Sequence, residues 1–152
     1  LINKQDVIYV GGGNTKSMLA VWREWKMDKL LLKAYNRGAI LCGVSAGAIC
    51  WFDKVVTDSW SSNLNVMDCM GFVDGCCCPH YDGEKNRRPS VAKFIMDSVV
   101  DSCYALDDGA ALHYKNGKLH TVVTFYEGAG AYEVSLKNGK VKHKNMNSIY
   151  IG

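Results

Sequence analysis

The hydrophobic and polar positions in the first part of the chain alternate between short strand-like runs and a long helical face. Residues 6–10 and 39–42 are apolar runs of the kind found in buried parallel strands. Between them, apolar side chains recur at helical spacing over residues 16–36, and the Asn-Arg-Gly segment 36–38 is a stop signal. This part of the pattern predicts strand, helix and strand, as at the start of an α/β sheet.

The middle of the chain continues this alternation of strand and helix. Pro89 suits the first turn of a helix, because the missing N–H of proline has no partner to lose there. The predicted elements are a short helix over 46–52, a surface loop over 53–70, a strand over 71–79, a loop over 81–88, a helix over 90–101 and a strand over 103–106.

The last third of the chain has the pattern of antiparallel hairpins. Asn116-Gly117 and Asn138-Gly139 are hairpin-turn dipeptides, each between alternating segments. They predict that residues 110–114 pair with 119–123 and that residues 131–136 pair with 140–143. We therefore expect one α/β domain over residues 1–152, with antiparallel hairpins at its C-terminal end.

Composition and charge exclude several classes of protein. Hydrophobic residues make up 48% and charged residues 22% of the 152 residues, as in ordinary globular domains. The net charge of +3 is small and the lysines are scattered, so we expect no nucleic-acid partner. No apolar run approaches the roughly 20 residues of a membrane span. We therefore expect no membrane partner.

The cysteines indicate reduced thiols. There are seven, an odd number, and Cys76, Cys77 and Cys78 are consecutive, unlike the spacing of a disulfide framework. Small buried thiols in a cytoplasmic protein fit this usage better. The Cys-Cys-Cys-Pro-His run lacks the ligand spacing of a zinc site, so we predict no bound metal.

The stretch Gly43-Val44-Ser45-Ala46-Gly47 fits the pattern G-x-S-x-G, with a predicted strand before it and a predicted helix after it. In that setting a serine occupies the tip of a sharp turn, where its hydroxyl is exposed beside the free N–H groups at the start of the helix. Small neighbours are needed because the backbone passes close to itself. The pattern therefore predicts a nucleophile at Ser45 and an oxyanion donor at the N–H of Ala46.

A serine nucleophile needs a base, and His80 is the best candidate. It follows a predicted strand and opens a charged loop, and this end of an α/β sheet is where sites form. The other histidines lie on predicted hairpin strands and favour surface or structural roles: His113, His120 and His143.

The acid that orients the histidine is predicted at Asp107 or Asp108, at the end of another predicted strand. The alternative is that these residues only cap the turn at Gly109. Glu127 and Asp82 are weaker candidates. Because the histidine precedes the acid, the order differs from that of an α/β-hydrolase.

The glycine-rich loop 11–14 favours the other half of the oxyanion hole. A glycine N–H can approach an oxyanion without a side chain in the way. The alternatives are a tight turn before a helix or a phosphate loop, but both phosphate-binding fingerprints are missing.

These motifs together resemble one known family. V-I-Y-V-G-G-G-N-T, G-V-S-A-G-A-I, the P-H-Y strand end and A-L-D-D-G, in this order along the chain, are similar to the peptidase E (α-aspartyl dipeptidase) family of serine peptidases, to which the cyanophycinases are related. The resemblance implies a class I glutamine amidotransferase-like fold, a three-layer sandwich with a mostly parallel central sheet. It also implies that no cofactor is needed.

The resemblance assigns roles position by position. Ser45 is the expected nucleophile and His80 the base, while Gly13 and Ala46 donate the oxyanion-hole N–H groups. The family's third triad residue is a glutamate before a glycine. This position is Asp108 here, with a side chain one methylene shorter, so Asp107 or a water is the alternative partner.

The resemblance also implies a substrate site and a longer protein. Arg87, with Arg88 beside it, is the nearest match to the arginine that binds the substrate's aspartyl carboxylate, and Asn14 is a second expected substrate-binding residue. Family members carry further strand–helix units before residues 6–10. We therefore expect this chain to lack an N-terminal part, and we expect a homodimer or an association with that segment.

The expected function is hydrolysis of short peptides, including Asp-X dipeptides, through a Ser-His-Asp triad and an acyl-enzyme. Alternatives within acyl transfer are an isoaspartyl or cyanophycin-like peptidase and an esterase. A third alternative is an inactive binding homologue or fragment, in which the serine and the histidine lie far apart.

Overall fold

The computed structural model describes residues 1–152, and it is a mixed α/β structure. A short 3₁₀ turn at Ile2–Lys4 precedes the first strand. The helices are α1 (Thr15–Glu24), α2 (Met27–Asn36), α3 (Ala46–Ile49) and α4 (Arg87–Met96). The strands are β1 (Val7–Val10), β2 (Ile40–Gly43), β3 (Phe52–Thr57), β4 (Asn65–Asp68), β5 (Val73–Cys78), β6 (Ser102–Leu106), β7 (Ala110–Lys115), β8 (Lys118–Thr124), β9 (Ala131–Lys137), β10 (Lys140–Asn145) and β11 (Ser148–Tyr150).

The strands form three sheets. β1 and β2 pair in parallel, and a six-stranded sheet has the order β10-β9-β6-β5-β3-β4. In the larger sheet β3, β5 and β6 are parallel to one another, whereas β4, β9 and β10 run antiparallel to their neighbours. The third sheet has the order β11-β8-β7. The α/β class and both C-terminal hairpins are therefore confirmed.

The helical stretch 16–36 is two helices, not the predicted single helix. Lys26 has a left-handed backbone (φ 56°) between α1 and α2. Leu19 of α1 and Leu31 of α2 belong to the same buried cluster, which contains Trp51. In a straight helix these two leucines would be separated by about 18 Å along the axis. The break therefore lets both leucines reach the same part of the core.

The segment 53–70 contains two strands, so the prediction of a surface loop was wrong. β3 and β4 pair antiparallel, and Val55 and Val56 of β3 are fully buried. Lys54 and Asp68 lie opposite each other on the outer side and form an ion pair at 2.6 Å. Half of the polar residues of the segment lie in the connection between the two strands: Asp58, Ser59, Ser61, Ser62 and Asn63. The strand β11 was also not predicted.

The thiols behave as small core residues. All seven cysteines are free, and those on β5 and β6 (Cys76, Cys77, Cys78 and Cys103) are buried, as is Cys50. Burial raises the pKa of Cys78 to about 12. No helix of the fold is both long and apolar enough to cross a bilayer.

This burial predicts the thiol chemistry of the folded protein. With an aromatic disulfide reagent near neutral pH, we expect at most the two half-buried thiols, Cys42 and Cys69, to react before unfolding. In guanidinium chloride all seven should react. The absorbance of the released aromatic thiolate gives the number of reactive cysteines before and after unfolding. More than two thiols reacting in the native protein at the unfolded rate would contradict this packing.

Candidate active site

Ser45 occupies a strained turn between β2 and α3. Its backbone has φ 52° and ψ −119°, a region that side-chain-bearing residues rarely adopt. The glycines on either side explain the turn, because a Cβ at Gly43 or Gly47 would overlap the carbonyl oxygen of Val10. The end of β1 thus passes directly against this turn. The strand–turn–helix context expected of G-x-S-x-G is present.

Ser45 and His80 are in hydrogen-bond contact. The Oγ of Ser45 lies 2.9 Å from Nε2 of His80, which comes two residues after the end of β5. The Nδ1 of His80 lies 2.6 Å from Oδ1 of Asp108. An ionised carboxylate can only accept, so Nδ1 carries the proton and Nε2 is free to accept from the serine hydroxyl. This is the orientation that a general base requires.

Asp107 and Asp108, adjacent in sequence, have different surroundings. Asp107 is buried, and its Oδ2 accepts from the N–H of Gly130 at 3.0 Å and from the hydroxyl of Tyr132 at 3.2 Å. Burial raises the pKa of the Asp107 carboxyl. Asp108, whose side chain is 53% exposed, is the acid that contacts His80. An aspartate therefore reaches the histidine in this fold.

The two weaker acid candidates have no contact with the imidazole. Asp82 accepts a hydrogen bond from the backbone N–H of Asp108 at 2.9 Å. Glu127 is exposed and makes no hydrogen bond through its side chain. The role of Asp82 was not predicted, because nothing in the spacing of residues 82 and 108 indicates that they meet.

Three backbone N–H groups, those of Ala46, Gly12 and Gly13, have no acceptor within the chain. Ala46 is the first residue of α3, so its N–H has no acceptor within the helix, and it has none elsewhere in the chain. The N–H groups of Gly12 and Gly13 also lack an acceptor within the chain. Gly12, which sequence reasoning did not single out, lies against Ser45: a Cβ there would be 3.3 Å from Cβ of Ser45. A run of three glycines gave no signal to choose among them.

Asn14 is used structurally. Its Oδ1 accepts from the N–H of Ser17 at 2.9 Å and so caps α1. Its Nδ2 donates to the carbonyl of Ser59 at 2.6 Å, and the hydroxyl of Ser59 accepts from the N–H of Thr15 at 3.0 Å. These bonds tie the glycine loop to the segment after β3. They give no support to the prediction that Asn14 binds substrate.

Arg87 is buried beneath the loop that carries His80. Its side chain is 4% exposed, and its Nε donates to Glu84 at 2.9 Å. Its Nη1 donates to the carbonyl of Val56 at 3.0 Å, and Nη2 lies 4.0 Å from the carboxylate of Asp58. The guanidinium is therefore occupied within the fold. These contacts give no support to the prediction that Arg87 binds a substrate carboxylate.

Arg88 is half-exposed and packs on aromatic rings. Its guanidinium lies 4.4 Å from the ring centre of Tyr81 and 5.2 Å from that of Tyr132, and its Nη2 is 3.6 Å from Oδ1 of Asp107. The hydroxyl of Tyr81 is hydrogen-bonded to His143 at 2.8 Å. Burial, followed by the charge of Arg88, lowers the pKa of His143.

The remaining two histidines lie on the β7–β8 hairpin. The rings of His113 and His120 pack edge to face across the β7–β8 hairpin, with centres 5.3 Å apart. No group of three or more His, Cys, Asp or Glu side chains is arranged to hold a metal ion.

The comparisons with known proteins agree on one family. The model of "Peptidase family S51" matches residues 1–122. The chain is 44% identical over 151 residues to the "Uncharacterized peptidase YgaJ" of Bacillus subtilis strain 168, covering 99% of this chain and 65% of that protein. It is 28% identical over 128 residues to the "Peptidase E" of Haemophilus influenzae Rd, covering 77% of this chain and 58% of that protein.

A solved structure is similar in fold. The crystal structure of a candidate peptidase E from Listeria monocytogenes EGD-e matches with a TM-score of 0.55 and 22% identity, over 96% of this chain and 62% of that chain. The chain spans less than two thirds of the length of each of these relatives.

The close packing of β1 against the Ser45 turn predicts that alanine will be tolerated at some glycine positions and not at others. Gly47→Ala should lower the free energy of unfolding by about 2–3 kcal/mol, because its methyl group would overlap backbone atoms that cannot move aside. Gly11→Ala is the matched control, since a Cβ there meets nothing within 4 Å, and it should change stability by less than about 0.5 kcal/mol. Urea unfolding measures both. Equal losses of stability in Gly47→Ala and Gly11→Ala would contradict the close contact between β1 and this turn.

The burial of Arg87 predicts a stability defect. Arg87→Ala should lower the free energy of unfolding by about 1–3 kcal/mol, because the variant loses the donors to Glu84 and to the Val56 carbonyl. The exposed Lys85→Ala should have little effect. Urea unfolding and peptide KM are measured together. A rise in KM at unchanged stability would instead indicate substrate binding by Arg87.

Proposed function

This chain belongs to peptidase family S51, and we propose that it is the catalytic part of a serine peptidase that hydrolyses short peptides. One observation carries the proposal: Ser45 Oγ, His80 and Asp108 form a continuous hydrogen-bonded series, with distances of 2.9 Å and 2.6 Å. A serine without a base is a poor nucleophile, so this contact supports a hydrolase over an inactive homologue.

In the first half of the proposed reaction, Ser45 Oγ attacks the carbonyl carbon of the scissile peptide bond. His80 Nε2 takes the hydroxyl proton as the new C–O bond forms. The carbonyl oxygen becomes an oxyanion, and the free N–H groups of Ala46 and of Gly12 or Gly13 would stabilise it. The C–N bond then breaks, and His80 returns the proton to the leaving amine.

In the second half, water hydrolyses the acyl-enzyme. His80 removes a proton from the water as its oxygen attacks the ester carbon, and the proton then returns to Ser45 Oγ when the C–O bond breaks. Asp108 remains ionised throughout. Its hydrogen bond fixes the tautomer of His80 and stabilises the imidazolium that forms in each half-reaction.

The proposed substrate class is short peptides without a fixed requirement for an aspartyl residue. Arg87, the expected carboxylate ligand, is occupied within the fold. Asp-X dipeptides, β-linked aspartyl peptides and simple esters are the substrates to compare. The finer architecture we propose is a three-layer sandwich with a mostly parallel central sheet, to which the parallel strands β3, β5 and β6 belong.

Labelling and turnover test this function together. In the full-length protein we expect a fluorophosphonate to label Ser45, and we expect Ser45→Ala to abolish both labelling and peptide hydrolysis. Asp108→Asn should lower kcat by at least about 10³-fold, since it removes the carboxylate that orients the base. Ser17→Ala, at an exposed serine on α1, is the matched control and should keep full activity.

Mass spectrometry of the labelled peptide and steady-state kinetics provide the two measurements. Hydrolysis that persists in Ser45→Ala at the rate of the unsubstituted protein would overturn the proposal. So would labelling confined to a serine other than Ser45.

A further inference from the structure

Two hydrogen bonds join the turn after β5 to the loop after β6, which carries Asp108. The strands pair in parallel up to Cys78 and Ala105. Beyond them, the N–H of Tyr81 donates to the carbonyl of Leu106 at 2.9 Å. The N–H of Asp108 then donates to the side chain of Asp82 at 2.9 Å. Beyond Tyr81, the side chain of Asp82 thus takes the place of a backbone carbonyl as the acceptor that joins the two segments.

Gly83 lies against the acid itself. A Cβ at this position would be 2.9 Å from Oδ2 of Asp108, closer than real Cβ contacts come. The other oxygen, Oδ1, is the one that contacts His80. Asp82 therefore holds the backbone of Asp108, while Gly83 leaves the space that its carboxylate occupies.

The turn is fixed on its far side as well. His80 has a left-handed backbone (φ 54°), and its carbonyl accepts from the N–H of Glu84 at 3.1 Å. The side chain of Glu84 is bonded to Arg87, which is anchored to the carbonyl of Val56 on β3. The segment from His80 to Arg87 is thus a closed turn attached to the sheet at one end and to Asp108 at the other.

We propose that Asp82 and Gly83 are positioning residues that set the distance between Asp108 and His80. Asp82 acts as a hydrogen-bond acceptor for the Asp108 N–H, and Gly83 lets the turn close tightly enough for a short acid to reach the imidazole. The catalytic consequence rests on the function proposed above. The positioning itself is a property of the fold and can be measured without turnover.

A purely electrostatic role is the competing explanation for Asp82. Its negative charge lies close to Asp107, whose raised pKa it contributes to after burial. A charge effect needs the ionised carboxylate, whereas positioning needs only an oxygen that accepts. Asparagine keeps the accepting oxygen and removes the charge. The two roles therefore separate in the comparison of Asp82→Asn with Asp82→Ala.

The test compares Asp82→Ala, Asp82→Asn, Gly83→Ala and the control Asp101→Ala in the full-length protein. Asp101 is exposed and makes no hydrogen bond through its side chain. Two readouts are taken: kcat and KM for a short peptide, and the low-field proton resonance of the His80 Nδ1–H bonded to Asp108. The resonance does not depend on catalysis.

We expect Asp82→Ala to lower kcat about tenfold, the effect of losing one hydrogen bond to a charged acceptor, with KM unchanged. Gly83→Ala should change kcat in the same direction. Both variants should weaken the low-field resonance. Asp82→Asn and Asp101→Ala should match the unsubstituted protein in both readouts.

Three outcomes overturn the inference. Asp82→Ala could retain kcat within twofold with the resonance intact, Asp82→Asn could fall as far as Asp82→Ala, or Gly83→Ala could leave both readouts unchanged. Failure of the proposed function would look different: the unsubstituted protein would neither hydrolyse peptides nor label at Ser45, while the resonance would still report whether Asp82 positions Asp108.

Discussion

The close passage of β1 behind the Ser45 turn is the contact on which the candidate site depends. The Val10 carbonyl occupies the space where side chains at Gly43 and Gly47 would lie, so the turn can form only with glycine at both positions. The N–H of Val44 donates to the same carbonyl at 3.1 Å. The strained backbone of Ser45 is thus held by its neighbours, and the glycine loop 11–13 is delivered beside the hydroxyl by the same strand.

The chemistry is divided among loops that follow parallel strands. Ser45 follows β2, His80 follows β5 and Asp108 follows β6, while the glycine loop follows β1. In each case the loop beyond the carboxyl end of the strand carries the functional group. Sites of α/β proteins form at this end because several loops converge there. The arrangement explains how residues 28 to 35 positions apart meet within hydrogen-bond distance.

The sequence was most informative where chemistry is local. The elbow at Ser45 and the position of His80 after a strand could both be predicted, since glycine spacing and a strand end are visible over a few residues. The burial of Arg87 could not be predicted, because its partner on β3, the carbonyl of Val56, is 31 residues away in sequence. The segment 53–70 was misjudged because its polar residues suggested a loop, although Val55 and Val56 are core residues. The break at Lys26 satisfies tertiary packing that no local pattern encodes.

The pair Asp107 and Asp108 shows why environment, not residue type, assigns the acid. Burial raises the pKa of the Asp107 carboxyl and so favours its protonated form in the folded state. Its contribution to stability is therefore fully present at low pH and is lost as the pH rises through its folded pKa. Burial therefore makes ionisation of Asp107 less favourable than it is in water. The half-exposed Asp108 is in contact with solvent and is the carboxylate that contacts the imidazole. One turn thus places a buried carboxyl with structural contacts beside the exposed carboxyl that we propose as the partner of the base.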